Sequence, residues 1–308
     1  MRTLAAALSL HKPASRHLRA AGIVLLASAA IHIAMLMILG GQWAGPVSLR
    51  KPITFGLSVG LLLWTLGWVF DRLRSRPRME RVLGGTLIMS SLLEVGLITV
   101  QAWRGVPSHF NMTTAVDGAV FAAMGITVAV LSAGLLATTI WAFKESPTEP
   151  GIRLAVRAGL VLILVGLGIG GWMISLGTAY FDRTGHVPDQ VQSGAEGVPT
   201  FPHAVGLHGV QVFILAAIVT GLAGLSSRTA VRVLRLVVAG YSVFWFWSIV
   251  QAAAGRAPLD LRGPQTVLAV VAVALFVLAA GVFIAGWRRA QTSTTSAVET
   301  VPALTSAP

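Results

Sequence analysis

Of 308 residues, 55% are hydrophobic and 11% are charged, against roughly a quarter charged in soluble domains. A soluble chain of this length needs more charged surface, so a lipid bilayer must cover most of it. The net charge of +12 lies in short clusters between apolar runs, which argues for membrane topology and against nucleic acid as a partner. With no cysteine in the chain, disulfides, iron–sulfur ligation and thiol catalysis are excluded.

Eight apolar runs are long enough to cross the ~30 Å hydrocarbon layer; they fall at 21–39, 53–70, 82–102, 115–141, 154–180, 204–225, 231–250 and 265–287. Lipid offers no partner to backbone N–H and C=O groups, so each run is expected to be a helix. The first run follows Lys12, Arg16 and Arg19 as a secretory signal would, but its apolar stretch is too long for one, so it is read as a retained span. Residues 1–20 then form a cytoplasmic N-terminal segment and 21–289 a single transmembrane domain. Residues 290–308, rich in Ser, Thr, Ala and Pro, are expected to be a disordered cytoplasmic tail.

The loops alternate in charge. One side collects 17 basic residues, among them Arg72, Arg74, Arg76, Arg78 and Arg81, and the other has Arg50, Lys51, Arg104, Arg183, Arg256 and Arg262. Basic residues near helix ends stay in the cytoplasm, which places both termini inside. The expected fold is therefore an all-α polytopic membrane bundle of about eight transmembrane helices. A short match, Val100-Gln101-Ala102 against Val250-Gln251-Ala252, each followed by Gly, Arg and Pro, hints at a four-plus-four duplication with both halves in one orientation.

Some residues do not belong in lipid. His32 on the first span, Glu94 on the third, and His208 with Gln211 on the sixth all fall roughly 6–12 Å below the outer surface, at ~1.5 Å per residue. Ionisable groups in a membrane helix are costly and suggest a functional site. Each also has a structural reading: a lone His is commonly a hydrogen-bonded packing residue, and Glu94 would sit protonated against a neighbouring helix. Gln211 follows His208 by three residues and shares its face. Together the four residues point to a polar pocket in the outer leaflet.

The outer loops add to it. After the third span the chain reads Gln101-Ala-Trp-Arg104-Gly-Val-Pro-Ser108-His109-Phe-Asn111, and Thr114 to Asp117 has the spacing of a capping box. Arg50-Lys51-Pro52 opens the second span with two cations beside a helix start, where anions are favoured; with Arg104 they would suit an anionic group such as a haem propionate, or simply snorkel to headgroups. His203 lies five residues before His208, about 140° round a helix, so the two share a face only if His203 precedes the regular turns. Pro202 favours that. Gly56 to Gly60 and Gly166 to Gly170 have the small-xxx-small spacing of close helix packing.

No Walker, GxSxG, HExxH or CxxC motif is present. The set Arg50-Lys51-Pro52…Phe55, Gln101-Ala…Arg104-Gly…Ser108-His109-Phe110-Asn111 and His203…Gly206-Leu207-His208…Gln211 resembles a family of uncharacterised bacterial multi-pass inner-membrane proteins. That resemblance implies a bacterial inner-membrane location and no particular activity.

Three functional expectations follow. The first is a haem b or a copper, iron or zinc ion in a redox role, with His32, Glu94, His208, His109 and His203 as candidate ligands and Arg50, Lys51, Arg104 and Gln211 around them. The second is a proton-coupled transporter using Glu94, weakened by sparse polarity in the inner halves of the spans. The third is a non-catalytic sensor or assembly factor.

Overall fold

A computed structural model describes residues 3–145 and 147–299, with side chains through 292. A short helix α1 (Leu4–Leu8) precedes eight long ones: α2 (Pro13–Leu39), α3 (Arg50–Arg72), α4 (Pro77–Trp103), α5 (Ala115–Lys144), α6 (Pro150–Thr184), α7 (Thr200–Leu222), α8 (Ser227–Ala253) and α9 (Thr266–Glu299). The eight long helices are those whose length and hydropathy suit a membrane span. They begin or end beyond the apolar runs because the helix continues past the hydrocarbon edge. Proline at the first turn opens α2, α4 and α6, where its missing N–H leaves nothing unsatisfied. With an even number of spans, both termini lie on one side of the bundle, called here the termini side.

Two features differ from the sequence reading. Helix α1 has no long apolar run and was not expected. Helix α9 continues to Glu299, into the segment read as tail, whereas residues 300–308 lie outside the described residues.

The helices form two matching sets of four. Helices α7 and α8 begin and end 150 positions after α3 and α4, and the opening prolines of α2 and α6 are 137 apart. Pairings match too: α2 packs on α3 and α4 as α6 packs on α7 and α8, and α4 packs on α5 as α8 on α9. The tightest contacts are also equivalent. A Cβ on Gly22 of α2 would sit 2.6 Å from the Gly60 carbonyl of α3, and one on Gly159 of α6 would sit 2.6 Å from Cα of Val210 of α7. Gly56 lies against Ala29, and Gly206 against Gly166, in the same relation. Helix association in lipid depends on such backbone approach, since burying apolar surface gains little there.

Both units also close their third helix alike. Gly105 and Gly255 adopt left-handed φ of 69° and 67°. The N–H of the residue after each glycine bonds back to the carbonyl of Gln101 or Gln251, at 3.1 and 3.0 Å. This is the Schellman arrangement, for which glycine is suited. The Val-Gln-Ala match therefore marks a structural repeat.

A methyl group at Gly206 would lie 2.7 Å from Cα of Gly166. Gly206→Ala is expected to cost ~1–3 kcal/mol, as overpacking does. Gly85→Ala, which meets nothing within 4 Å, should change stability by under ~0.5 kcal/mol. Thermal unfolding in detergent measures both.

Candidate functional site

Each of the polar residues singled out in the spans has its own surroundings. His32 is 2% exposed. Its Nδ1–H donates to the Ser28 carbonyl at 2.7 Å, and its Nε2 accepts from the Trp103 indole N–H at 3.1 Å. The rings also stack, with centroids 5.8 Å apart. Both nitrogens are engaged, so the imidazole offers no lone pair to a metal. Glu94 takes a hydrogen bond from Thr127 of α5 at 2.5 Å. His208 of α7 meets Ser58 of α3, Nε2 to Oγ, at 2.8 Å.

The expected common pocket of His32, Glu94 and His208 is therefore not formed. The three share a depth, but they occupy different helix interfaces, α2–α4, α4–α5 and α3–α7. Among the described residues no three His, Asp or Glu side chains are grouped to hold a metal ion. His109 and His203 do not complete one: His203 donates from Nδ1 to the Gly166 carbonyl at 2.9 Å, and His109 Nδ1 pairs with Ser108 Oγ at 2.9 Å.

Arg104 is likewise committed. Its guanidinium pairs with Asp117 at 2.9 Å and also bonds the Gln101 side chain. Gln101 in turn donates to Asp117 at 3.0 Å, and the Thr114 hydroxyl reaches the other carboxylate oxygen at 2.7 Å. The capping box read at Thr114–Asp117 is present, with the Asp117 N–H bonding Thr114 Oγ1 at 3.1 Å. This network fastens loop 104–114 to α4 and α5. Both Arg104 bonds use its Nη1 alone. Arg50 bonds the Trp43 carbonyl at 3.2 Å, which ties the preceding loop to α3.

What the structure does gather lies between the two units, where α3 meets α7. Pro52, Gly56, Leu57 and Ser58 of α3 correspond to Pro202, Gly206, Leu207 and His208 of α7, again 150 positions apart. Ser58 and His208 are thus equivalent positions that bond each other. A position that touches its own equivalent lies on the axis relating the two units, as in an isologous dimer contact. Around this pair sit His203, one turn toward the far side, and Gln211, one turn the other way beside His208. The Gln211 amide is closed off from solvent beside the His208 ring, its contact with that ring being longer or more bent than an ideal hydrogen bond. Lys51 lies two turns before Ser58 on the same face of α3, and no ion-pair partner for it occurs among the described residues.

His109 caps this region from loop 104–114. Its ring packs against Phe55 of α3, Phe110 and Phe121 of α5, with centroids 5.4, 6.2 and 6.5 Å away. Burial, then the positive charge of Lys51, holds its pKa down to about 3. The imidazole is therefore neutral throughout the physiological range.

Sequence reasoning found His203, His208, Gln211, Lys51 and His109 but counted Ser58 only among the sparse polar residues of a transport path. The signal was available. Ser58 and His208 follow matching Pro-x-x-x-Gly-Leu stretches at the same spacing that separates Gln101 from Gln251.

An unfolded His titrates near 6.5, so between that pH and about 3 the unfolded chain binds a proton that folded His109 does not. Stability must therefore fall as pH drops through this window, by at most about 1.4 kcal/mol per pH unit. His109→Phe should flatten that decline in thermal unfolding measured from pH 7 to 4. A variant as acid-sensitive as the parent would show that His109 is not the group responsible. Comparisons with protein-family models, characterised proteins and solved structures return no match.

Proposed function

We propose that this chain is a transporter, in a bacterial inner membrane with its termini side in the cytoplasm, that passes a small polar solute along the interface between its two units. One observation carries the reading: the bond between Ser58 and His208, a polar contact of equivalent positions on the shared axis. Each lies eight residues into a 23-residue helix, about 12 Å from its start. Proteins with parallel repeats place solute sites near mid-membrane at the repeat interface. Two four-helix units in one orientation are that arrangement.

The chemistry fits a hydrogen-bonding solute that is neutral or anionic. The groups at the interface are a hydroxyl, two imidazoles and a buried amide beside one of them. Lys51 supplies a cation on the approach, and none of the named groups is a carboxylate. Glu94, the residue first considered for proton coupling, faces α5 instead and has no part in this route.

The chain has no cysteine, so single thiols can be introduced cleanly. Ser58→Cys should be modified by a small, charged, membrane-impermeant thiosulfonate from the far side of the membrane. An exposed loop control, Ala44→Cys, gives the reference rate. If the control reacts and position 58 is inert from both sides, the contact is sealed packing and the transporter reading fails.

A further inference from the structure

The termini side of the same interface has a second feature. A cavity of about 180 Å³ is lined by residues that include Ala6, Ala7, Trp68, Arg72, Ile218 and Leu222. Trp68 corresponds to Ile218 and Arg72 to Leu222, at the 150-residue spacing of α3 and α7. Two equivalent pairs lining one space put it on the same axis as Ser58 and His208, at the opposite end.

Helix α1 contributes Ala6 and Ala7 to the wall of this cavity, and among the described residues it is the element without a counterpart in the second unit. The Trp68 indole donates to the Ala7 carbonyl at 2.9 Å, and the Arg72 guanidinium donates to the same carbonyl at 2.5 Å. Arg72 also lies 3.7 Å over the Trp68 ring, so the two side chains act as one clamp. The helix itself is five residues long and contributes no residue to the buried core.

The connection behind it is anchored. Asp71 accepts the backbone N–H groups of His11 and Lys12 at 2.6 and 2.8 Å. The Lys12 ammonium bonds the carbonyls of Phe70 and Leu73 and pairs with Glu80 at 3.1 Å. Ser9, which ends α1, is in extended conformation. The layout is a short flap, an extended connection at residues 9–10 with Leu10 packed on the core, and a fixed root at 11–12.

We infer that α1 is a gate over the termini-side mouth of the path between the two units, latched by Trp68 and Arg72 on the Ala7 carbonyl. The inference rests on the transporter reading for its purpose, though not for its geometry. In the latched state the cavity is a vestibule closed from that side. Releasing α1 opens it to water, while the Ser58–His208 contact separates it from the far side. A five-residue helix outside the buried core is a local structure of low stability, as moving segments are.

The experiment uses the full-length chain with one reporter thiol, Ala217→Cys, at a buried position on the cavity wall. Two alterations release the latch: deletion of residues 4–8, and Trp68→Phe, which removes the indole N–H. Modification by a membrane-impermeant thiosulfonate is measured in vesicles of both orientations, with exposed Ser227→Cys as control. Each alteration should speed labelling of position 217 on the order of tenfold from the termini side and leave the far side slow, because opening exposes the site in proportion to the open population. The Ser227 rate should not change. Labelling at 217 that is equally fast with and without α1 would overturn the gate. The two readings fail separately: a responsive position 217 with an inert position 58 keeps the flap but removes the transport path, whereas a reactive 58 with an unresponsive 217 does the reverse.

Discussion

A polar side chain in the hydrocarbon layer has no water to satisfy it, so it must find its partner within the protein. That constraint explains most of what stands out in this chain. His32 is closed by Ser28 and Trp103, Glu94 by Thr127, and the Arg104–Asp117–Gln101 network by its own members. The bonds to Trp103, Thr127 and Asp117 join neighbouring elements inside one four-helix unit, in which the Ser91 hydroxyl and the Trp141 indole N–H are also buried. At the interface between the units the polar contact is instead one between equivalent positions. There Ser58 and His208 hold each other across the axis, with the Gln211 amide sealed beside the His208 ring.

The second constraint is packing. Without a hydrophobic force between helices in lipid, α2 and α3 adhere through Gly22, Ala29, Gly56 and Gly60, and α6 and α7 through Gly159, Gly166, Gly206 and Val210. The pairs within each unit are therefore tight along their length. The α3–α7 contact carries no such glycine seam. It is a polar contact between equivalent positions, with a cavity on the same axis at the termini side. Rigid units joined by a looser seam are the construction expected of two bodies that move against each other.

The sequence made the helices legible because hydrocarbon thickness and backbone satisfaction leave little choice, and all eight long helices fall on the apolar runs. The Thr114–Asp117 capping box was legible for a local reason, since it depends on a spacing of three. Depth in the membrane was also legible, as a count of residues from the helix end. Which way each residue points around its helix was not, because that depends on which helices are neighbours. His32, Glu94 and His208 share a level yet face three different interfaces, so a pocket built on depth alone was the wrong assembly. The duplication was faint at Gln101 and Gln251 because few side chains agree between the halves. What the halves share is glycine placement, helix length and the left-handed turns at Gly105 and Gly255. Helix α1 lay outside any signal used, being too short for periodicity.

The account depends on Ser58 and His208 meeting across the seam between the units. The double variant Ser58→Cys/His208→Cys, treated with a short bifunctional thiol reagent, tests this directly, with Glu94→Cys/Thr127→Cys as a control pair known to touch within one unit. The account predicts efficient intramolecular cross-linking of both pairs, read as a mass shift of one linker per chain. Cross-linking of the control pair with none between positions 58 and 208 would contradict it.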